Sequence, residues 1–239
     1  MKVLITQSML FPWVGMLEQI RLADIIVHYD DVQFSKGSFT NRVQIKTSNG
    51  VHWMTIPVQG LKLGTPIDQV KISTSSNWRS SHLSLLKQSF KGTPFKSDAL
   101  EIVEKVYRSE HICVSTLARE SMLSVADYYG LLENKLILDI RSLGVDGSSS
   151  SRVLEIVKRV GGKVYITGHG ARNYLDHKAF EDSGISVEYM NYKLNHYLQP
   201  WGEFTPYVSS LDLVANMGKD GIDKISSDTL PWHKFVNPN

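Results

Sequence analysis

Two short apolar runs near the N-terminus constrain the fold more than any other feature. Residues 3–5 form the first run and residues 25–29 the second, and Leu17, Ile20 and Leu22 recur at helical spacing between them. Continuous apolar runs of this kind are typical of parallel strands that are buried on both faces. The chain is therefore expected to begin with a βαβ unit of an α/β fold.

The same alternation returns in the second half of the chain. The predicted strands and helices there are residues 136–140 (strand), 151–160 (helix), 164–167 (strand), 176–183 (helix) and 187–189 (strand). Gly161 and Gly162 end the longer of these helices. The pattern predicts a mainly parallel, Rossmann-like sheet within a single α/β domain over residues 1–239.

Two further segments separate the halves of this sheet. Asn49-Gly50 lies between residues 42–46 and 51–58, and such a dipeptide between extended segments predicts a β-hairpin. Apolar residues then recur at helical spacing from Trp78 to Tyr129, with breaks near Gly92 and Ser109. We expect an α-helical insert at about residues 78–130.

Composition favours a small-molecule partner. The 26 basic and 24 acidic residues nearly balance and form no basic run, so neither nucleic-acid nor membrane binding is supported. Cys113 is the single cysteine and no zinc-ligand spacing occurs, which is typical of a reducing compartment. We expect a cytoplasmic protein with no metal site and with an oligomeric state that the sequence leaves open.

Small residues follow two neighbouring predicted strands. Ser149, Ser150, Ser151 and Arg152 come before a helix, where backbone N–H groups and the positive helix end favour a phosphate. Gly168 and Gly170 follow the next strand in the same way and could share that ligand. The alternative is a flexible loop in which Ser150 or Ser151 caps the helix, beside an ordinary glycine turn.

Polar side chains are dense after the second strand. The candidates are Asp30, Asp31, Gln33, Lys36, Asn41 and Arg42. Aspartates could bind or deprotonate an amine, and the two cations could stabilise an oxyanion or a phosphate. Alternatively, one aspartate caps a turn and pairs with Arg42. Because adjacent side chains of an extended segment point to opposite faces, we do not expect the aspartates to chelate a metal together.

Three other candidates have weaker support. His82 lies on the apolar side of its predicted helix, where a histidine is more often a satisfied core residue than a catalyst. His196 and Tyr197 belong to an aromatic loop and could stack on a base or a sugar, although ordinary loop packing explains them equally well.

Several short motifs occur in a fixed order along the chain: residues 11–15 (FPWVG), residues 30–34 (DDVQF) with Lys36, and Asn41-Arg42. In these motifs the sequence resembles the WbqC-like family, and the resemblance continues over nearly the whole chain. Members are encoded among genes for O-antigen and other surface polysaccharides, and one has been suggested to transfer glycine. The resemblance implies aminoacyl transfer to an amino sugar and adds Trp13 to the substrate-binding residues. Gln7, at which the first apolar run stops, is also assigned to substrate binding because we expect the site at the carboxyl ends of the strands.

A more distant resemblance is to the adenylyltransferase group that includes pantothenate synthetase. The His-x-Gly-His element of that group would fall near residues 13–16, where this chain has no histidine.

The leading hypothesis is a transferase that joins an amino acid, such as glycine, or a small acyl group to the amine of a nucleotide-linked amino sugar. The acyl donor could be an aminoacyl-tRNA, a thioester or an ATP-derived adenylate. The alternative is a non-catalytic protein that binds a nucleotide sugar and regulates or scaffolds polysaccharide assembly.

Overall fold

The computed structural model describes residues 1–237 as an α/β fold around a six-stranded sheet. The strands are β1 (Lys2–Thr6), β2 (Ile25–His28), β3 (Arg42–Thr47), β4 (Gly50–Thr55), β5 (Val58–Gln59), β6 (Lys71–Ile72), β7 (Leu136–Asp139), β8 (Val164–Thr167), β9 (Ser186–Asn191) and β10 (Asp228–Pro231). The central sheet has the order β10-β9-β8-β1-β2-β7, while β3 pairs with β4 and β5 with β6 in two small antiparallel sheets. The predicted α/β class, the mainly parallel sheet and the hairpin are confirmed.

Helices cover both faces of this sheet. They are α1 (Val14–Leu22), α2 (Trp78–Ser89), α3 (Lys96–Arg108), α4 (Val114–Tyr128), α5 (Ile140–Leu143), α6 (Ser149–Arg159), α7 (His177–Asp182), α8 (Leu211–Met217) and α9 (Trp232–Val236). Helices α2, α3 and α4 form the predicted insert between β6 and β7. Across the described residues, no helix combines the length and apolar character needed to cross a membrane.

Alternating side chains of the central strands supply two separate cores. Leu4 of β1 and Ile26 of β2 pack with α1, the hairpin and the helical insert. Val3, Ile25 and Val27 point to the opposite face, where they pack with α6 and α7. This arrangement explains why the strand sequences are apolar without interruption, since both faces of each strand are buried.

The last strand is the main difference from the sequence prediction. Strand β10 runs antiparallel to β9 at one edge of the sheet, in a segment that the sequence placed on the surface. Asp228–Pro231 has little apolar character, and proline is normally excluded from central strands because it lacks an N–H donor. At the sheet edge, Pro231 is tolerated.

Helix α6 begins earlier than predicted. Ser148 is its N-cap residue, with no hydrogen bond from the Ser148 side chain to the helix, and Ser149 is its first residue. The alternative that Ser150 or Ser151 caps the helix is therefore wrong. Ser151 instead donates a hydrogen bond from its hydroxyl to the Ser148 carbonyl, and the Ser150 hydroxyl accepts one from the Asp176 N–H.

Candidate functional site

A large cleft lies at the carboxyl ends of β1 and β8. From β1, the chain builds the sheet first towards β2 and β7, and later towards β8 and β9 on the other side. Thr6 and Thr167, the last residues of β1 and β8, line a cleft of about 760 Å³ between them. In open α/β sheets, a reversal of strand order of this kind is where ligands bind.

The wall of the cleft is rich in uncharged hydrogen-bonding groups. It includes the amides of Gln7, Gln19 and Gln33, and Met9 and Met16 add apolar surface. Three tyrosines complete it: Tyr29, Tyr165 and Tyr174. Burial raises the pKa of each tyrosine hydroxyl, so all three are neutral donors near pH 7.

The serine loop contributes backbone groups to the same cleft. Gly147, Ser148 and Ser149 line it where α6 begins. Ser149 has a φ angle of 55°, in the left-handed region that residues with a side chain seldom adopt. The first turn of the 11-residue helix α6 therefore faces the cleft. The N–H groups of this turn, which have no partner within the helix, and the positive end of the helix dipole lie there.

Arg152 lines the cleft, but its guanidinium is already paired. Nη1 and Nη2 donate to the two carboxylate oxygens of Asp31 at 3.1 and 2.5 Å, and Nε donates to the Val145 carbonyl at 3.0 Å. This hydrogen bonding to Asp31 raises the pKa of Arg152 above its usual value. The positive charge of Arg152 beside the serine loop is therefore already paired with a carboxylate, and the side chain ties the cleft wall to Asp31.

Asp30 is a buried carboxylate rather than an open one. It is 1% exposed, and it accepts hydrogen bonds from the Ser8 N–H at 2.8 Å and from the Ser8 hydroxyl at 2.6 Å. Arg119 donates to it at 2.9 Å and reaches Asp139 at 2.7 Å. A substrate ammonium group has no path to this carboxylate, so the structure does not support Asp30 as an amine ligand.

His28 completes this buried network behind the cleft. Since a carboxylate can only accept, the Ser8 hydroxyl donates to Asp30, and His28 must donate from Nδ1 to the Ser8 oxygen at 3.1 Å. Burial lowers the pKa of His28 to about 3, which keeps the ring neutral. The network fixes Ser8, and with it the neighbouring cleft residue Gln7.

Neither aspartate pairs with Arg42. The Arg42 guanidinium stacks over Trp53, with its carbon 4.0 Å from the ring centroid, and Lys36 is exposed on the loop before the hairpin. Asn41 donates to the Ile56 carbonyl. The polar residues that the sequence grouped together are thus distributed over several parts of the fold.

His82 has a core environment. Its Nδ1 lies 2.8 Å from the Tyr107 hydroxyl and its Nε2 lies 3.1 Å from the Thr55 carbonyl oxygen. Burial lowers the pKa of His82 to about 4. His82 does not line the cleft.

Trp13 and Tyr197 meet in a narrow crevice on the far side of α1. Gly15 lies under the Trp13 indole, and a Cβ atom at Gly15 would approach Trp13 Cη2 to 2.3 Å. The Tyr197 hydroxyl donates to Asp212, and exposed His196 packs on Phe204 with ring centroids 4.3 Å apart. These residues border α1 but are not part of the cleft wall.

Six of the predicted residues do line the cleft: Gln7, Gln33, Ser149, Arg152, Gly168 and Gly170. Gln19 and Tyr29 were missed. The available signals were a glutamine beside Ile20 on the buried side of a helix and a tyrosine at the end of a buried strand. Arg119 gave no local signal, since it lies 89 residues from Asp30.

Within residues 1–237, no group of three or more acidic, histidine or cysteine side chains is placed to hold a metal ion.

The model of the WbqC-like protein family matches residues 7–224. The chain belongs to this family. It is also 30% identical to the uncharacterized protein Rv1507c of Mycobacterium tuberculosis over 227 residues, which cover 93% of this chain and 96% of that protein. No solved structure gives a significant match.

Proposed function

We propose that the chain binds a nucleotide-linked sugar in the cleft between β1 and β8 and serves the synthesis of a surface polysaccharide. The observation that carries the proposal is the position of the cleft at the reversal of strand order, beside the N-terminal turn of α6. A phosphate group fits the backbone N–H donors of this turn. The pathway rests on membership of the WbqC-like family.

The lining chemistry supports a nucleotide sugar over a highly charged ligand. Arg152 is the one charged side chain among the described residues of the cleft wall, and Asp31 already neutralises it. Glutamine amides and tyrosine hydroxyls match the many neutral donors and acceptors of a base and a sugar. The two methionines offer an apolar surface for a ring.

A tryptophan that fills the cleft tests this proposal. A Cβ atom at Gly170 would meet no heavy atom within 4 Å, so Gly170→Trp should occupy open cleft space without disturbing its neighbours. Asn173→Trp is the matched control, because Asn173 is exposed in the same 3-10 helix and does not line the cleft. Calorimetric titration with UDP-glucose and UDP-glucosamine should give binding to wild type and Asn173→Trp, with at least tenfold weaker binding to Gly170→Trp. Equal affinity in all three proteins would contradict the proposal.

Amide formation on the sugar amine is the reaction that we propose for this site. The amine nitrogen bonds to the acyl carbon, the bond from that carbon to its leaving group breaks, and the proton that the amine loses passes to a carboxylate and from there to the leaving group. Asp31 is a better candidate than Asp30 for the carboxylate in this reaction. Its side chain pairs with an arginine that lines the cleft, whereas Asp30 is covered by Ser8. Arg152 would then orient Asp31 near the bound amine.

A product assay separates this reaction from binding alone. The protein is incubated with UDP-glucosamine and, in turn, glycyl-tRNA, a glycyl thioester, or glycine with ATP, and mass spectrometry measures the glycyl amide. We expect product with one donor, and at least a hundredfold less with Asp31→Asn under conditions where the sugar still binds. Binding without product from every donor would instead favour the non-catalytic alternative.

A further inference from the structure

A second groove lies between the β3–β4 hairpin and the start of α2. It measures about 430 Å³, and its wall includes Trp53, Thr55, Asn77, Trp78 and Ser81. No acidic side chain is among the described residues that line it, and it shares no lining residue with the cleft between β1 and β8. The groove is therefore a separate pocket without acidic groups, in which hydroxyl, amide and indole groups lie beside the apolar Met54 and Leu85 and the neutral ring of His82.

Two arginines border this groove through its tryptophans. The Arg42 guanidinium carbon lies 4.0 Å from the Trp53 ring centroid, and that of Arg79 lies 4.4 Å from the Trp78 centroid. In the part of the chain that the structure describes, neither arginine forms an ion pair with a carboxylate. The Nε atom of each is buried without a protein hydrogen-bond partner. Stacking holds both cations beside the groove while leaving their charge uncompensated.

The two tryptophans differ in what they can offer a ligand. Trp78 is 5% exposed and packs against Tyr107 in the core, whereas Trp53 is 42% exposed. Trp53 and Thr55 lie on the same outward face of β4, because they are two residues apart on a strand. The groove thus presents one accessible indole, flanked by polar side chains that can bond to hydroxyl groups.

We propose that this groove binds a sugar ring that carries a phosphate or a carboxylate. The ring packs on the exposed part of Trp53, the polar side chains bond to its hydroxyls, and Arg42 and Arg79 pair with the anionic group. Single-stranded nucleic acid is less suitable, since its recognition uses several aromatic platforms for successive bases, whereas Trp53 is the one exposed indole among the described residues of the groove wall. This site does not depend on the function proposed for the cleft.

Tryptophan fluorescence and calorimetry test the proposal with probes that lack a nucleotide. The probes are glucose 6-phosphate, glucuronic acid, glucose, inorganic phosphate and a six-nucleotide single-stranded RNA. We expect the two acidic sugars to bind with an affinity that falls as salt rises, and glucose and inorganic phosphate to bind at least tenfold more weakly. The fluorescence change should be absent in Trp53→Phe.

Three variants locate the binding. Arg42→Gln and Arg79→Gln should each weaken the acidic sugars at least tenfold, while Arg141→Gln should not, because Arg141 is an exposed arginine paired with Asp68 elsewhere. Circular dichroism confirms folding, and either arginine variant suffices if the other fails to fold. Unchanged affinity in the folded variants, equal binding of glucose or phosphate, or tighter binding of the RNA would overturn the proposal. Gly170→Trp should retain this binding; its loss there would place the sugar in the cleft instead.

Discussion

Replacement of Asp30 by asparagine should destabilise the protein strongly. The carboxylate is 1% exposed and accepts three hydrogen bonds, two from Ser8 and one from Arg119. An asparagine oxygen can still accept from the Ser8 N–H, but its NH₂ group then faces donors on Ser8 and Arg119. Two hydrogen bonds to a charged group are lost, each worth about 1.5 to 3 kcal/mol.

The loss of stability is partly offset because Arg119 keeps its ion pair with Asp139 at 2.7 Å. We therefore expect Asp30→Asn to lower the free energy of unfolding by about 4 kcal/mol. For a chain of this length, that corresponds to a fall in the melting temperature of about 10 °C. Urea denaturation at pH 7, followed by circular dichroism, measures the difference directly.

Two other aspartate–arginine pairs serve as graded controls. Asp31→Asn should cost about 2 kcal/mol, because Arg152 retains its bonds to the Val145 carbonyl and one amide oxygen remains to accept. Asp68→Asn breaks a more exposed pair with Arg141 and should cost below about 1 kcal/mol. The reasoning fails if Asp30→Asn is no more destabilising than Asp68→Asn.

Three further predictions concern stability. Burial lowers the pKa of His82 to about 4, so between pH 6.5 and pH 4 the unfolded chain binds a proton that the folded protein does not, and the free energy of unfolding falls as the pH drops. Urea titrations at pH 7 and pH 4 should find this fall about 3 kcal/mol smaller in His82→Gln than in wild type. Burial raises the pKa of Asp212 to about 6, so the folded protein binds this proton more tightly than the unfolded chain, and the stability that protonation contributes is lost as the pH rises through 6. The stability of Asp212→Asn relative to wild type should increase by about 3 kcal/mol from pH 4 to pH 8, and a constant difference would contradict this. Gly15→Ala forces the Trp13 indole away and should cost about 1 to 3 kcal/mol with a changed near-ultraviolet spectrum, whereas Gly170→Ala should leave both unchanged.

The central strands were predictable because burial on both faces leaves a continuous apolar run in the sequence. Strands β1, β2 and β8 carry this signal. Strand β7 also has an apolar run, although it lies at the sheet edge and its side chains are exposed or only partly buried. The sequence located all four strands within a residue or two. Strand β10 carries no such signal. Leu230 is its single apolar residue before Pro231. Its pairing with β9 uses backbone hydrogen bonds and two polar side-chain contacts, Asn191 to Asp228 and Thr229 to Glu188, which leave no apolar pattern in the sequence.

The position of the cleft also followed from the sequence, whereas its electrostatics did not. The strand ends and the serine loop identified Gln7, Ser149 and Gly168 from local pattern alone. The partners of the aspartates could not be found in this way, because Arg119 and Arg152 lie 89 and 121 residues further along the chain. Local pattern indicates which groups are charged, but tertiary packing decides which charges neutralise each other.

The central position of β1 has a consequence for biosynthesis. Strand β1 is translated before its partner β8, which ends at Thr167, about 160 residues later. At a translation rate of about 5 to 20 residues per second, one edge of β1 stays unpaired on the ribosome for roughly 10 to 30 s. A nascent chain that stalls before β8 exposes a flat apolar edge that can pair with other chains, so premature termination products of this protein should require chaperones or rapid proteolysis.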